Sequence, residues 1–228
     1  MSPEPATRGV LFDIDGTLLD TGGAGAAAWR TAFAELHGRP VDIREITESG
    51  MTDPEVGRTA LRHVLGRDPS PGELAQALAG YMEHLTAAVR ASEGYTVMLG
   101  VVELLHQLID HGCLLGLVTG NVEAAAHIKL ARGHLNRFFS FGGYGSDSND
   151  RTEVTRRSLE RGRCVSGDLL DPSDCVGVGD TPRDVAAAHG AGIRSVAVAT
   201  GNYSATELEA AGADFVLASL RDWPPTLG

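Results

Sequence analysis

Lysine is nearly absent from this chain. Its 228 residues contain a single lysine, Lys129, among 19 basic residues. A phosphate-binding P-loop requires the pattern Gly-x-x-x-x-Gly-Lys-Ser/Thr, and the neighbours of Lys129 do not match it. Schiff-base catalysis would have no other residue to use. The shortage of lysine therefore excludes a P-loop protein and limits amine chemistry to one position.

Cysteine is also scarce, at three residues: Cys113, Cys164 and Cys175. Their number is odd and no two form a Cys-x-x-Cys pair, so we expect free thiols in a reducing compartment rather than disulfides or a zinc site. The eight histidines show no His-Glu-x-x-His or similar ligand spacing. The composition therefore gives no sign of a zinc protein.

Excess positive charge and long apolar runs are missing too. The formal net charge of −11 argues against nucleic acid or an anionic membrane as the partner, because both attract basic patches. No run approaches the roughly 20 apolar residues of a membrane span. Residues 1–5 lack the basic start and apolar core of a secretory signal peptide. We therefore expect a cytoplasmic protein with no nucleic-acid or membrane partner.

Hydrophobic spacing divides the chain into a helical part and an alternating part. Apolar residues at helical intervals predict helices over residues 24–38, 54–66 and 72–91, with no convincing strand among them. Further on, predicted helices and strands alternate, which is typical of a doubly wound parallel sheet. The helices are predicted at 99–111, 122–132, 152–162 and 182–190, and the strands at 114–118, 138–144, 175–178, 195–199 and 214–217.

This order predicts an α/β fold of two parts. Residues 1–20 and 93–228 are expected to form the parallel-sheet core, and residues 21–92 a small all-helical domain inserted after the first strand. The segment from Trp223 onward is expected to be irregular.

The first predicted strand ends in two aspartates. The apolar run Val10–Phe12 leads into Asp13 and Asp15, which should point to the same side at the carboxyl end of the strand, where open α/β sheets bind ligands. Two adjacent carboxylates repel each other, which favours a divalent cation beside them. A solvated turn is the alternative, since Asp and Gly are frequent turn residues. A calcium loop does not fit, because the sixth position from Asp13 is Leu18 rather than glycine.

Two later strands end in polar residues suited to the same site. One is followed by Thr119, Gly120 and Asn121 at the start of a helix, where a hydroxyl and free backbone N–H groups can bind an anion. The same residues also serve as ordinary helix caps. Another strand is followed by Asp180 and, one helical turn later, Asp184. Asp180 is a candidate metal ligand supported by Asp184, and a capped helix start is the alternative.

In combination, these motifs resemble a known family. Asp-x-Asp-Gly-Thr, Thr-Gly-Asn and Gly-Asp-Thr-x-x-Asp follow one another at predicted strand ends, as in the haloacid dehalogenase (HAD) superfamily. The resemblance extends from Gly9 to Leu217 and is to those phosphatases that carry a helical (C1-type) cap after the first strand. It implies a Rossmann-like core, Mg²⁺ as the cofactor and a phosphorylated small molecule as the substrate.

The resemblance also implies roles for individual residues. Asp13 corresponds to the nucleophile that becomes an aspartyl-phosphate, and Asp15 to the general acid/base. Thr119 corresponds to the hydroxyl that binds the transferring phosphoryl group. Further substrate contacts are expected from Gly16, Gly120 and Asn121.

The implied metal ligands are acidic. The resemblance assigns Mg²⁺ to the Asp13 carboxylate, the backbone carbonyl of Asp15 and the Asp180 carboxylate, with Asp184 in a supporting position.

One expected residue of the superfamily is missing. The lysine that usually precedes the last acidic motif is absent, and Arg151 stands near its place. We favour Arg151 as the cation that neutralises the phosphate, because guanidinium matches phosphate geometry. Lys129 is the alternative, if its side chain reaches back toward the start of its helix.

The helical insertion should exclude water from the site and select the leaving group. The loop Gly50–Asp53 between two predicted helices is the candidate contact, with Thr52 and Asp53 as substrate-binding residues. The alternative is that this loop only caps the helix that begins at Pro54.

The leading functional interpretation is an Mg²⁺-dependent phosphatase for a small phosphomonoester, such as phosphoglycolate or a sugar phosphate. A sugar phosphomutase or a catalytically idle phosphate-binding protein would keep the same residues. Dehalogenases do not normally carry the second aspartate, so Asp15 argues against that reaction. Phosphonate hydrolases need a lysine in the cap, and residues 21–92 contain none.

Overall fold

The computed structural model describes residues 7–224, and a parallel β-sheet forms its centre. All strands except β2 and β3 join this six-stranded sheet, in the order β5-β4-β1-β6-β7-β8. This arrangement confirms the predicted doubly wound α/β fold. The strands are β1 (Thr7–Phe12), β2 (Leu19–Asp20), β3 (Thr96–Val97), β4 (Leu114–Val118), β5 (Phe141–Gly143), β6 (Leu170–Gly179), β7 (Arg194–Val198) and β8 (Phe215–Leu217).

Helices cover the sheet and form the insertion after its first strand. The helices are α1 (Ala24–His37), α2 (Asp53–Leu65), α3 (Pro71–Ala91), α4 (Val101–Asp110), α5 (Glu123–Arg132), α6 (Arg151–Val165), α7 (Pro182–Gly190) and α8 (Ala205–Ala210). Among the described residues, no helix has both the length and the hydropathy needed to cross a membrane.

Strand β1 lies in the middle of the sheet and is buried on both faces. Val10 and Phe12 belong to one apolar cluster and Leu11 to another, as the alternation of a strand requires. All three side chains are at most 1% exposed. Burial on both faces explains why this strand is a continuous apolar run in the sequence.

The order of strands reverses at β1. Its neighbours are β4 on one side and β6 on the other, and Phe12 is paired with Leu117 of β4 and Val178 of β6. These three strands therefore end at nearly the same level. A crevice forms at such a switch point outside the carboxyl ends of the strands, so the residues that follow β1, β4 and β6 meet there.

Helices α1–α3 share a hydrophobic cluster of their own. At its centre the ring of Trp29 on α1 stacks on that of Tyr81 on α3, with centroids 4.4 Å apart and planes at 5°. The cluster also contains Ala125 of α5, so these helices pack directly on the sheet-bearing part. The antiparallel pair of β2 and β3 joins the two connecting segments. The division of the chain into a core and a cap at residues 21–92 remains a proposal.

Most predicted elements match the structure, and the differences have local causes. The strand predicted over residues 138–144 is wrong at its ends: Phe138 lies in a 3-10 turn (Asn136–Phe138), and only Phe141–Gly143 pairs with β4. The Phe138 side chain is buried in the core, so its apolar character indicated burial rather than a strand. Strand β6 begins at Leu170, before the predicted start. Helix α8 was not predicted, although Ser204 and Glu207 form a capping box at its start.

The segment expected to be irregular at the end of the chain begins with a packed residue. The ring of Trp223 lies 6.5 Å from that of Phe12, and it packs against the main core. Residues 225–228, the end of that predicted segment, lie outside the described residues.

Candidate active site

The ends of three strands open into one cavity of about 470 Å³. Asp13 and Asp15 follow β1, Thr119 follows β4, and Asp180 follows β6. The backbone N–H of Asp13 donates to the carbonyl oxygen of Val178 at 2.8 Å, which extends the ladder with β6 by one residue. The carboxylates and the hydroxyl singled out in the sequence are thus placed around a common space.

An acidic cluster contributes two residues, Asp13 and Asp180, to the floor of this cavity. One carboxylate oxygen from each of Asp13, Asp180 and Asp184 lies within 4.8 Å of the other two. Asp184 is held by Thr181, whose Oγ1 donates to Asp184 Oδ2 at 2.7 Å within a capping box at the start of α7. The local sequence that begins this helix therefore also orients a carboxylate toward the site.

Arg151 lies against the cluster. Its Nη2 is 3.3 Å from Asp13 Oδ1 and also forms an ion pair with Asp184. The side chain is 6% exposed, and its buried Nε has no hydrogen-bond partner among the described residues. Burial acts to lower the pKa of Arg151, but attraction to Asp184 and Asp13 outweighs it and raises the pKa above its usual value. Arg151 therefore remains a cation at every accessible pH.

The cluster has more negative charge than its protein surroundings compensate. Burial, followed by repulsion from Asp184, raises the pKa of Asp13 from 3.8 to about 7. The same causes in the same order raise the pKa of Asp180 to about 9. Oxygen donors of this kind are the preferred ligands of hard divalent cations, and a bound cation would remove the repulsion. The residues present therefore fit a divalent metal ion.

The unfolding free energy of the metal-free protein is expected to fall as pH rises. Asp13 and Asp180 retain their protons in the folded state up to their raised pKa values, about 7 and about 9, whereas in the unfolded chain both ionise near 3.8. The folded state thus binds more protons between these limits, and stability decreases through that window. In EDTA, the melting temperature should drop by about 5 °C between about pH 6 and pH 9.

Magnesium should suppress this decrease in melting temperature, because a bound cation stabilises the ionised carboxylates. In EDTA, Asp180→Asn should make the decrease smaller, because it removes one of the two buried carboxyl groups that ionise. A melting temperature in EDTA that stays constant or rises over this interval would contradict the assignment.

Two glycines allow the backbone to approach Asp180 closely. A Cβ atom on Gly16 would collide with the Asp180 carboxylate, and one on Gly201 would do the same. Gly16 also has φ +80°, a left-handed conformation that side chains other than glycine rarely adopt. Its carbonyl oxygen accepts a hydrogen bond from Thr200 Oγ1 at 2.6 Å. Glycine at both positions leaves the carboxylate room beside the main chain.

Asp15 also lines the cavity but has different partners. Its Oδ2 accepts hydrogen bonds from Lys129 Nζ and from Asn121 Nδ2, both at 2.7 Å. It does not belong to the acidic cluster, and its side chain is 41% exposed against 10% for Asp13. The two aspartates of the motif are therefore in different surroundings: Asp13 beside Arg151, and Asp15 beside Lys129.

The loop after β4 is ordered by its own polar side chains. Thr119 Oγ1 accepts hydrogen bonds from the backbone N–H of Asn121 at 3.2 Å and from its Nδ2 at 2.7 Å. Asn121 thus links Thr119 to Asp15. Lys129 lies seven residues after Val122. Its side chain is buried and reaches back to the carboxylate of Asp15. Burial lowers its pKa, but the nearby Asp15 and Asp53 raise it above the usual value overall.

Asp53 connects the helical region to this loop. Its backbone N–H donates to the Gly120 carbonyl at 2.8 Å, and its Oδ2 accepts from the Val122 N–H, also at 2.8 Å. Burial raises the pKa of Asp53 to about 6, although Lys129 opposes the shift. Thr52 caps α2, and its hydroxyl also contacts Asn149 Oδ1 at 3.2 Å.

The site thus brings together ten of the twelve residues predicted from the sequence. Thr52 and Asp184 do not line the cavity: Thr52 is fully buried, and Asp184 is paired with Arg151 and hydrogen-bonded to Thr181. The ten that line it are Asp13, Asp15, Gly16, Asp53, Thr119, Gly120, Asn121, Lys129, Arg151 and Asp180.

The sequence analysis missed the loop after β7. Thr200, Gly201 and Asn202 line the cavity, and Asn202 Nδ2 donates to Ser49 Oγ at 2.7 Å across to the helical region. A signal was present, because Thr-Gly-Asn, the tripeptide that directly follows β4, also follows β7 after one intervening residue, Ala199. Arg183 also reaches the helical region, where its Nη2 lies 3.2 Å from Glu48 Oε2.

Comparison with known proteins assigns the family. The sequence profile of haloacid dehalogenase-like hydrolases matches residues 7–192. The chain belongs to this family. As a haloacid dehalogenase-like hydrolase, it shares 29% identity over 220 residues with phosphoglycolate phosphatase 1 of Pseudomonas aeruginosa, covering 96% of this chain and 79% of that protein. It shares 32% identity over 194 residues with a phosphoglycolate phosphatase of Pseudomonas savastanoi pv. phaseolicola, covering 84% of this chain and 69% of that protein.

Solved structures of other proteins show the same fold. CbbY from Rhodobacter sphaeroides, in complex with phosphate, aligns with a TM-score of 0.74 at 23% identity over 95% of this chain and 96% of that one. A β-phosphoglucomutase from Clostridium difficile aligns with a TM-score of 0.74 at 21% identity over 96% of this chain and 94% of that one.

Proposed function

We propose that this hydrolase is an Mg²⁺-dependent phosphatase that cleaves a small phosphomonoester through an aspartyl-phosphate on Asp13. One observation carries the proposal: Asp13, Asp15, Thr119, Arg151 and Asp180 line a single cavity at the switch point of the sheet. The curated relatives named phosphoglycolate phosphatases support the same reaction class.

In the first step, a carboxylate oxygen of Asp13 attacks phosphorus and the bond to the ester oxygen breaks. Asp15 gives a proton to the departing alkoxide, since its carboxyl group is the more exposed of the pair and faces the same cavity. Lys129 and Asn121 hold this group in place. The leaving group departs as a neutral alcohol, and the phosphoryl group stays on Asp13.

In the second step, Asp15 takes a proton from a water molecule. That water attacks phosphorus, the bond to Asp13 breaks, and inorganic phosphate leaves with Asp13 again a carboxylate and Asp15 again protonated. The same residue acts as acid and then as base, so no other proton carrier is needed.

Arg151 supplies positive charge beside the nucleophile in both steps. Attack of a carboxylate on a phosphate brings two anions together, and Arg151 Nη2 lies 3.3 Å from Asp13. Its Nε, buried without a partner among the described residues, can donate to a phosphoryl oxygen. The Thr119 hydroxyl, which lines the same cavity, is proposed as a second contact to the phosphoryl group.

A divalent cation, proposed to be Mg²⁺, would be held by Asp13, the backbone carbonyl of Asp15 and Asp180, with Asp184 in support. When bound, it neutralises charge on the phosphoryl oxygens and on the carboxylates.

The test is a phosphate-release screen with and without Mg²⁺, over p-nitrophenyl phosphate and a panel of phosphorylated metabolites. We expect Mg²⁺-dependent release that is lost on chelation and in Asp13→Asn. Transfer to a sugar phosphate with little phosphate release would indicate a mutase instead. Phosphate binding without turnover would indicate an idle binding protein.

A further inference from the structure

The cavity as a whole carries more negative than positive charge. Its lining contains more than twice as many carboxylates as cations, and most of the rest is uncharged. The carboxylates are Asp13, Asp15, Asp20, Asp53 and Asp180, and the cations in the described lining are Lys129 and Arg151.

Neither cation is free to bind a second anion. Lys129 Nζ lies 2.7 Å from Asp15, and Arg151 pairs with both Asp13 and Asp184. Both side chains are at least 93% buried. Arg183 lies at the rim, but it pairs with Glu48 and Glu55 and does not line the cavity.

The wall on the side of the helical region offers hydrogen-bonding groups without positive charge. Ser49 and Asn202 meet there, and Asp20 and Asp53 add carboxylate acceptors. Met51 and Met98 supply apolar surface. Such a wall suits hydroxyl or ammonium donors on a leaving group and opposes a carboxylate, which would face like charges in a partly desolvated space.

A divalent metal ion and the phosphate dianion of a substrate cancel each other's charge, and the two lining cations balance Asp13 and Asp180. Since Asp15 enters the first step protonated, the excess negative charge of the loaded site comes from Asp20 and Asp53. Resting on the proposed function, we propose that the enzyme selects monophosphates whose leaving alcohol carries no negative charge and discriminates against a carboxylate such as that of phosphoglycolate. Asp53 is the residue of the helical region that contributes most directly, because it is both buried and part of the lining.

The test compares three esters of nearly equal size: 2-phosphoglycolate, 2-hydroxyethyl phosphate and O-phosphoethanolamine. Their terminal groups are anionic, neutral and cationic. With Mg²⁺ present, kcat/KM for 2-hydroxyethyl phosphate should exceed that for 2-phosphoglycolate by at least about 10-fold, and O-phosphoethanolamine should be no worse than the neutral ester. An equal or higher kcat/KM for 2-phosphoglycolate overturns the inference.

A second measurement assigns the discrimination to charge. Asp53→Asn removes one negative charge and keeps an oxygen that accepts from the Val122 N–H. It should lower the ratio of kcat/KM for 2-hydroxyethyl phosphate to kcat/KM for 2-phosphoglycolate by about 3-fold or more. Glu45→Gln removes the charge of an exposed residue outside the lining and should leave the ratio unchanged. Equal ratios in Asp53→Asn and the wild type would count against the role of Asp53.

The two proposals fail in different ways. If p-nitrophenyl phosphate, the metabolite panel and all three esters are inert, or if Asp13→Asn retains full activity, the proposed function falls and this inference with it. If Asp13-dependent hydrolysis is found but 2-phosphoglycolate is preferred, only the inference falls.

Discussion

Replacing Asp13 with asparagine is expected to lower kcat/KM for every phosphomonoester by at least about 10⁴-fold, because an amide cannot form the acyl phosphate. Asparagine has nearly the same shape, so the contact of the backbone N–H with Val178 should persist. Phosphate release over a panel of substrates measures the effect. Full activity in Asp13→Asn would falsify the nucleophile assignment.

The same variant carries an internal control for folding. The raised pKa of Asp13, about 7, shows that its ionised form is disfavoured in the metal-free protein. Asp13→Asn should therefore melt no lower than the wild type in EDTA at neutral pH. Loss of activity together with a marked loss of stability would point to misfolding rather than to a missing nucleophile.

Replacing Arg151 with methionine is expected to have the second largest effect. It leaves the buried Asp13 and Asp184 without their cation, so kcat/KM should fall by about 10²- to 10³-fold. The free energy of unfolding should fall as well, by about 3 kcal/mol, because one partner of a buried ion pair is removed. Steady-state kinetics and urea unfolding measure the two effects separately.

Arg151→Lys is the matched control. It keeps the charge and supplies the residue type that the superfamily usually has, so most of the stability should return and activity should stay within about 10-fold of the wild type. If lysine and methionine lower activity equally while lysine restores stability, the guanidinium geometry is required rather than the charge.

The central strands and the floor of the site were predictable because their signals are local. Strand β4 has the predicted bounds, and Asp13 and Asp180 each follow an apolar run that is buried on both faces. A polar residue directly after such a run must lie at the carboxyl edge of a parallel sheet. Position in the chain alone was therefore enough to bring these carboxylates together.

The partners of the two cations were not predictable, because they depend on how helices are rotated and packed. Lys129 pairs with Asp15, 114 positions away, and Arg151 with Asp184, 33 away. From the sequence, both cations remained candidates for neutralising the phosphate, whereas the structure places each beside a different aspartate. The contact between Ser49 and Asn202 likewise joins segments 153 positions apart, and no local pattern specifies it.

The double contact of Asp53 with the loop after β4 has a consequence for engineering. Grafting helices α1–α3 from another family member onto the rest of this chain would test the prediction that they select the leaving group. A donor without a short carboxylate or amide at this position would leave the N–H of Val122 without its acceptor, beside the residues that orient Asp15. Successful chimeras should therefore exchange the segment Thr119–Val122 together with the helices.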